Sequence, residues 1–440
     1  MSNIEMQLDK VIEQTADPDT TSNRLQILLD NKQATKEFDS FSDDQKSGLI
    51  QILGISRFLS HFLHRHPDAV SLIGTPYQAS ESTNISDGIV DVRELRQHKY
   101  RSLLQITWMD VCNVCPYGMV LSNLSHLADT VIQTSTLLVT KDSRDFDPDI
   151  DIAIMALGKL GAYELNYSSD VDLIFVLRNG DSKKYHDMHE FYTQHIQQFC
   201  RLLSENSEEG FLYRVDLNLR PWGRSAPLVS SLDDYEEYYQ ASKEAWERIA
   251  WLRGRYIAGS EVLGNNMLAR LKPFVFHKSL SAEDIERFLK IKSDMADQRK
   301  KEGHWNVKLG EGGIRDIEFF VHLLQIVNGG NHPELQVTST LELLKQLNHC
   351  GFINDEEETE LRDSYIFLRK LENRLQMVDE QQTHQLPRDK DRLEQFSRMM
   401  GYKAKSIDEA HAGFNDDLIL YQQIARKYFE KLLTEHTEYS

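Results

Sequence analysis

Apolar residues recur three or four positions apart through the first part of the chain. Examples are Leu49, Ile52, Leu53, Leu59, Phe62 and Leu63. Side chains at this spacing share one face of an α-helix. The pattern therefore predicts a helical N-terminal region over residues 1–130.

The pattern changes near residue 150. A short continuous apolar run from Ile152 to Leu157 ends at Gly158, which is typical of a buried strand. The run from Ser169 to Leu177 and the alternating segment from Tyr213 to Leu219 also favour strands, with a helix between them over 188–203. We predict a small mixed sheet with helical cover, in a domain over residues 131–275.

Helical spacing returns after residue 275. The longest example joins Leu361, Leu368 and Leu375 in one amphipathic helix that is closed by Pro387. We predict a C-terminal helical bundle over residues 276–440. The fold class is therefore α+β and predominantly helical.

Asp170 and Asp172 lie two residues apart on a predicted strand. Because side chains alternate across a strand, both carboxylates leave the same face. Two carboxylates held this close repel each other unless a divalent cation lies between them. Oxygen ligands of this kind suit Mg²⁺ or Mn²⁺, so we predict a metal site here.

A third carboxylate is predicted from the segment that ends at Arg220. Val215 and Leu217 form its apolar face, and Asp216 lies on the opposite face with Arg214, Asn218 and Arg220. This pattern indicates a phosphate site with Asp216 as a metal ligand and Arg220 on phosphate oxygens. Two metals on three catalytic aspartates would serve an in-line displacement at phosphorus.

Further residues are predicted to contact phosphate or nucleotide: Gly158, Lys159, Gly161, Ser169, Lys308 and Arg315. The glycines fit a turn that brings backbone N–H groups close to an anion. Lys308 and Arg315 flank Gly312 and Gly313 at a predicted helix start. An exposed Lys159 and an ordinary helix start with surface charges remain open alternatives. Glu318 is expected to pair with Arg315 across one helical turn.

The chain has 440 residues and a formal net charge of −19. Such a charge disfavours a nucleic-acid partner. The polar N-terminus and the absence of an apolar run of membrane length predict a cytoplasmic protein without a membrane segment. The Cys112/Cys115 pair and the histidines at 61, 64 and 66 are weak metal candidates, and ordinary packing is the alternative for each.

Several motifs resemble those of the bacterial glutamine synthetase adenylyltransferase/adenylyl-removing enzyme family. They occur, in order, at residues 157–161, 164–166, 168–175, 214–216, 219–221, 227–229, 246–248, 273–276, 308–310, 312–319 and 371–376. The resemblance implies a nucleotidyltransferase domain of the DNA polymerase β-like superfamily. Departures from the family pattern occur at Ala162, Tyr163, Asn218 and Arg224.

Members of that family have two similar halves. One removes AMP from a tyrosine of glutamine synthetase by phosphorolysis, and the other adds it from ATP. Residues 164–166 and 313–318 resemble the N-terminal, adenylyl-removing half. The resemblance implies that adenylylated glutamine synthetase and phosphate enter, that ADP leaves, and that a PII signalling protein and the C-terminal adenylyl-transferring half are partners.

Three alternatives stay open at this point. The same fold could run forward and add AMP from ATP. The chain could be a catalytically silent scaffold that binds glutamine synthetase or PII. A nucleotidyltransferase acting on tRNA or another polymer is disfavoured by the negative charge.

Overall fold

The computed structural model describes residues 3–79, 89, 91–141, 147–180, 182–223, 226–242, 244–276, 282–303, 305–402 and 407–434. The predicted N-terminal helices are present. They are α1 (Asn3–Glu13), α2 (Pro18–Leu29), α3 (Lys32–Ser40), α4 (Asp43–Ile55), α5 (Arg57–Arg65), a 3₁₀ helix (Pro67–Leu72), α6 (Val92–Val111) and α7 (Tyr117–Thr140). Because α7 continues past residue 130, the predicted boundary there falls inside a helix; the domain limits stay predictions.

The middle of the chain holds a small mixed sheet, as predicted. Its elements are α8 (Pro148–Asp151), β1 (Ile152–Ala156), α9 (Gly158–Gly161), β2 (Asp170–Leu177), α10 (Ser182–Ser204), β3 (Arg214–Asp216), β4 (Val229–Ser231), α11 (Leu232–Ala241), α12 (Ala245–Trp251), β5 (Arg255–Gly259) and α13 (Glu261–Val275). The strand β1 pairs antiparallel with β2 and β5, whereas β2 pairs parallel with β3 and β4.

Both faces of this sheet are buried, each in a different apolar cluster. Ile154 and Phe175 face a cluster shared with the N-terminal helices. Met155 and Ile174 face a second cluster shared with the C-terminal helices. Burial on both faces explains why β1 is a continuous apolar run rather than an alternating one.

The third predicted strand is shorter than expected. The pattern predicted Tyr213 to Leu219, but β3 ends at Asp216. The backbone N–H of Asn218 donates to Asp216 Oδ1 at 2.7 Å, and this side-chain turn ends the strand. Asn218 and Arg220 therefore do not continue the polar face of β3, and that part of the prediction is wrong.

The remainder of the described chain is helical, as predicted. The helices are α14 (Ala282–Glu302), α15 (Ile314–Asn328), a 3₁₀ turn (Pro333–Leu335), α16 (Thr340–His349), α17 (Asp355–Met377), α18 (Lys390–Met399) and α19 (Ile407–Thr434). Within the described ranges, every helix is too short or too polar to cross a bilayer.

Candidate active site

The sheet places two of the predicted aspartates side by side. In the parallel pairing of β2 with β3, Asp172 is opposite Asp216 and Asp170 is opposite Arg214. Neighbouring strands lie about 4.8 Å apart, so the side chains of Asp172 and Asp216 leave the sheet as close neighbours. The edge of the sheet at this point is therefore strongly acidic.

Asp170 is oriented by an arginine. Arg214 Nε donates to Asp170 Oδ1 at 2.7 Å, and Arg214 Nη2 donates to the Ser168 carbonyl at 3.0 Å. Among the described residues, the one group of three ligating side chains whose ligand atoms all lie within 4.8 Å of one another is His332, Glu334 and Cys350. The three aspartates are not a group of this kind, and their role as ligands stays a prediction.

The electrostatics of the pair fit a divalent cation. Burial and the nearby Asp216 raise the pKa of Asp172 to about 7, with a smaller contribution from Asp170. Lys308 and Lys159 act in the opposite direction. Two adjacent carboxylates that resist joint ionisation gain most from a cation between them, and Mg²⁺ accepts ligands of this kind.

Gly158 makes room for one of these carboxylates. Its φ is +58°, and a Cβ atom there would lie 2.1 Å from Asp172 Oδ2. Gly161 serves packing instead, because a Cβ atom at that position would lie 1.7 Å from the Arg253 carbonyl oxygen. A phosphate contact at either glycine stays a prediction.

Replacing Gly158 by alanine is expected to displace the Asp172 carboxylate. A shift of about 1 Å in an acting group costs on the order of 100-fold in rate, so the activity that the aspartates are predicted to support should fall by that order. The left-handed backbone adds a cost of about 1–2 kcal/mol to the folded state. Initial rates and chemical unfolding measure the two effects.

Gly351→Ala is the matched control. Gly351 has φ +79° and nothing within 4 Å of the added Cβ, so it shares the backbone cost without the clash. Equal losses of activity in both variants would contradict the role assigned to Gly158.

Lys159 is committed to a buried ion pair. Its Nζ donates to both carboxylate oxygens of Glu372, at 2.8 and 3.0 Å. Burial lowers the pKa of Lys159 to about 8, although Glu372 favours its charged form. Although burial opposes ionisation, Lys159, His384 and Arg369 hold the pKa of Glu372 well below its usual value. The alternative of a merely exposed lysine is therefore wrong.

Three other predicted phosphate contacts have partners within the protein. Arg220 donates to the carbonyls of Leu217 and Pro227, each at 2.9 Å. Arg315 Nη1 donates to Gln298 Oε1 at 2.8 Å. Ser169 Oγ accepts a hydrogen bond from the backbone N–H of Asn166 at 3.3 Å. Glu318, which was expected to pair with Arg315, forms an ion pair with Arg253 Nη2 at 2.9 Å.

Lys308 is different, because its charge acts on Asp172. The loop that carries it is fixed by the backbone N–H of Val307, which donates to the His384 carbonyl at 2.9 Å. The N–H groups of Gly312 through Asp316 donate to the Asp316 carboxylate and to nearby carbonyls. Any anion contact here would therefore have to come from side chains, since these amides are already used.

Sequence reasoning missed how the segment before β2 is held. The backbone N–H groups of Tyr167 and Ser168 donate to the side-chain oxygens of Asn373 (3.2 Å) and Gln376 (3.0 Å), both on α17. Glu164 Oε1 accepts from the Thr340 N–H at 2.7 Å, at the start of α16. The only available signal was that these polar residues belong to the motifs at 164–166 and 371–376.

One of the departures from the family pattern, Tyr163, has a structural account. Tyr163 adopts φ +56°, a conformation that glycine reaches without strain, and its ring lies 3.9 Å below the Arg255 guanidinium. Cation–π attraction offsets part of that strain. The hydrogen bond of Asn218 to Asp216 uses the backbone N–H, which any residue except proline would supply, so the asparagine itself has no structural explanation. Arg224 lies outside the described residues.

The weaker metal candidates, the Cys112/Cys115 pair and the histidines near residue 64, have environments that do not favour metal binding. Burial raises the pKa of the Cys112 thiol to about 11, opposite to what a metal-binding thiolate requires. His64 contacts the Arg24 carbonyl at 3.2 Å, and His66 contacts Glu209 at 2.7 Å. Packing is thus the better interpretation of both sets.

A small mixed sheet that presents adjacent aspartates, set among helices, is consistent with a nucleotidyltransferase-like domain. Residues 47–270 match the family model described as glutamate-ammonia ligase adenylyltransferase. The chain belongs to this family. Residues 287–433 match a second family model, described as PII-uridylyltransferase.

One curated relative is the bifunctional glutamine synthetase adenylyltransferase/adenylyl-removing enzyme of Methylococcus capsulatus. It is 32% identical over 396 residues, which cover 83% of this chain. The same alignment covers 41% of the relative, so the chain spans less than half the length of that protein.

Proposed function

We propose that this chain removes AMP from the adenylylated tyrosine of glutamine synthetase by phosphorolysis. The observation that carries the proposal is the register of β2 and β3, which sets Asp172 beside Asp216 in a chain of this family. The direction of the reaction is supported by the segments 164–166 and 313–318, which resemble the adenylyl-removing half.

The reaction balances without an added acid or base. An oxygen of hydrogenphosphate attacks the adenylyl phosphorus, the bond from phosphorus to the tyrosine oxygen breaks, and the proton of hydrogenphosphate ends on the phenol. The products are ADP and free tyrosine. Since phosphate is already an anion, the site needs charge stabilisation more than a strong general base.

The chain's residues would position the reactants. Asp172 and Asp216 would hold Mg²⁺ or Mn²⁺, with Asp170 held beside them by Arg214. A bound cation would neutralise charge on the phosphoryl oxygens. Lys308, whose charge reaches Asp172, would attract the incoming phosphate.

The proposal extends to architecture and partners. The domain over 131–275 would have a DNA polymerase β-like fold, and the chain would act in the cytoplasm. A PII protein and a C-terminal adenylyl-transferring half would regulate or accompany it. The match of residues 287–433 to the PII-uridylyltransferase model supports a link to nitrogen signalling.

Incubation with adenylylated glutamine synthetase, Mg²⁺ and inorganic phosphate is expected to release ADP in step with loss of AMP from the synthetase. Chromatography measures ADP, and mass spectrometry measures the modified tyrosine. A parallel reaction contains unmodified synthetase and ATP instead.

The two reactions separate the alternatives. AMP incorporation from ATP, with no ADP released from the modified synthetase, would assign the forward reaction. Binding to the synthetase without either reaction would assign a silent scaffold.

A further inference from the structure

A cavity of about 250 Å³ lies where the N-terminal helices meet the C-terminal ones. Its walls come from α1, α4, the end of α6, α17 and α18. None of its lining residues holds the segment before β2 or lies at the acidic edge of the sheet, so the cavity is distinct from that edge.

The charge of the lining is opposite to that of the whole chain. Three cationic side chains, Lys370, Arg374 and Arg398, line the cavity, and no aspartate or glutamate is among its described lining residues. The chain as a whole carries a formal charge of −19. A cluster of cations without lining carboxylates creates a local positive potential in an otherwise anionic surface.

The three cations are not equally neutralised. Arg374 forms a bidentate pair with Asp110, at 2.6 and 2.8 Å. Arg398 Nη1 donates to the neutral carbonyls of Glu13 and Thr15, at 3.2 and 3.1 Å. Among the residues that the structure describes, Lys370 has neither a hydrogen-bond partner nor a carboxylate within ion-pair distance.

The desolvation of Lys370 has a cost that the protein does not offset. Burial and the adjacent Arg374 lower the pKa of Lys370, and the more distant Asp110 opposes them only in part. An ammonium group held near two guanidinium groups gains from an anion in the same space.

The remaining walls suit a small organic anion. Carboxamide groups of Gln14, Gln51 and Asn113 offer hydrogen-bond donors and acceptors, and Val11 and Ile55 offer apolar contact. The volume is too small for a nucleotide-sized ligand, since sites for drug-sized molecules occupy about 300–1,000 Å³.

We propose that this cavity is a binding site for a small anionic metabolite bearing a carboxylate or phosphate group. Lys370 and Arg398 are its anion-binding residues. The position has a further consequence, because Tyr167 OH donates to Asp110 Oδ2 at 3.2 Å, and Tyr167 lies three residues before Asp170. A ligand that draws Arg374 away from Asp110 is therefore coupled to the segment that carries the aspartates.

Titration calorimetry with succinate and with inorganic phosphate, in chelator-treated buffer at constant ionic strength, tests the site. At least one anion is expected to bind the wild-type chain, and Lys370→Gln or Arg398→Gln should weaken binding about tenfold or more, the effect of losing one charge-assisted hydrogen bond. Succinate binding alone would identify a carboxylate site, and phosphate binding alone a phosphate site.

Two further measurements separate this site from others. Lys36→Gln, at an exposed lysine on α3, should bind as the wild type does. Asp172→Asn should also retain binding of the anion. Phosphate bound at the acidic edge of the sheet would instead bind less well to Asp172→Asn and would be unaffected by Lys370→Gln. Unaltered affinity in both cavity variants, or no binding of either anion by wild type, would overturn the proposal.

Lys370→Gln is also expected to leave the melting temperature of the unliganded chain unchanged or raised, because it removes a desolvated and unpaired charge. A lower melting temperature in the absence of anions would indicate a structural role for Lys370 and would contradict the assignment.

Discussion

Replacement of Arg369 by methionine is expected to lower the free energy of unfolding by about 3–5 kcal/mol, as breaking a buried ion pair does. Arg369 is fully buried on α17. It donates to Tyr365 OH at 2.6 Å, to Asn166 Oδ1 at 2.7 Å and to the Glu164 carbonyl, and its Nε lies 3.4 Å from Glu372 Oε2. Methionine fills part of the space but leaves these oxygens without their donor.

Arg362→Met on the same helix is the control. Arg362 forms a partly exposed pair with Glu358 at 2.7 Å, four residues away. Pairs of this type contribute about 0.3–0.5 kcal/mol. Urea unfolding of both variants measures the difference; a loss below about 1 kcal/mol for Arg369→Met would show that the network is not stabilising.

Replacement of Asp172 by asparagine is expected to reduce the rate of the proposed ADP release by more than about 100-fold. Removing a residue that only supports a metal ligand costs up to about 100-fold, and loss of a ligand itself should cost more. The melting temperature should not fall, because the change removes a carboxylate held beside Asp216. Initial rates and thermal unfolding are measured on the same preparations.

Asp187→Asn provides the comparison for Asp172. Asp187 is exposed on α10, so its replacement should change neither rate nor melting temperature. A variant at 172 that keeps more than a tenth of the wild-type rate would contradict the metal-ligand role proposed for that aspartate.

The spacing of hydrophobic residues was sufficient to predict the larger elements of the fold. The strands β1 and β2 and the helices on both sides of the sheet follow from hydrophobic spacing. The strands β4 and β5 were missed because neither has the continuous apolar run of β1: β4 is Val-Ser-Ser, and β5 begins with Arg255 and ends with Gly259. The end of β3 was missed because one side-chain hydrogen bond at Asp216 determines it.

The limit of prediction from sequence is clearer for the cationic side chains. Lysine and arginine near a predicted phosphate site look alike in sequence whether they contact a ligand or the protein. Lys159 pairs with Glu372, which is 213 positions away in the sequence. A pattern of neighbouring residues cannot predict a pair so far apart in the sequence. The adjacency of Asp172 and Asp216 could be predicted because it needs only two short strands paired in register.

The contact of Glu164 with the start of α16 bears on how the chain can be divided. A fragment cut at residue 270, where the first family match stops, would keep Glu164, Lys159 and Tyr167 but lose their partners on α16 and α17, which are Thr340, Glu372 and Asn373. Their charges and amides would then face solvent beside the aspartates. The part of the chain that the first family model covers is therefore smaller than the part that holds the site together.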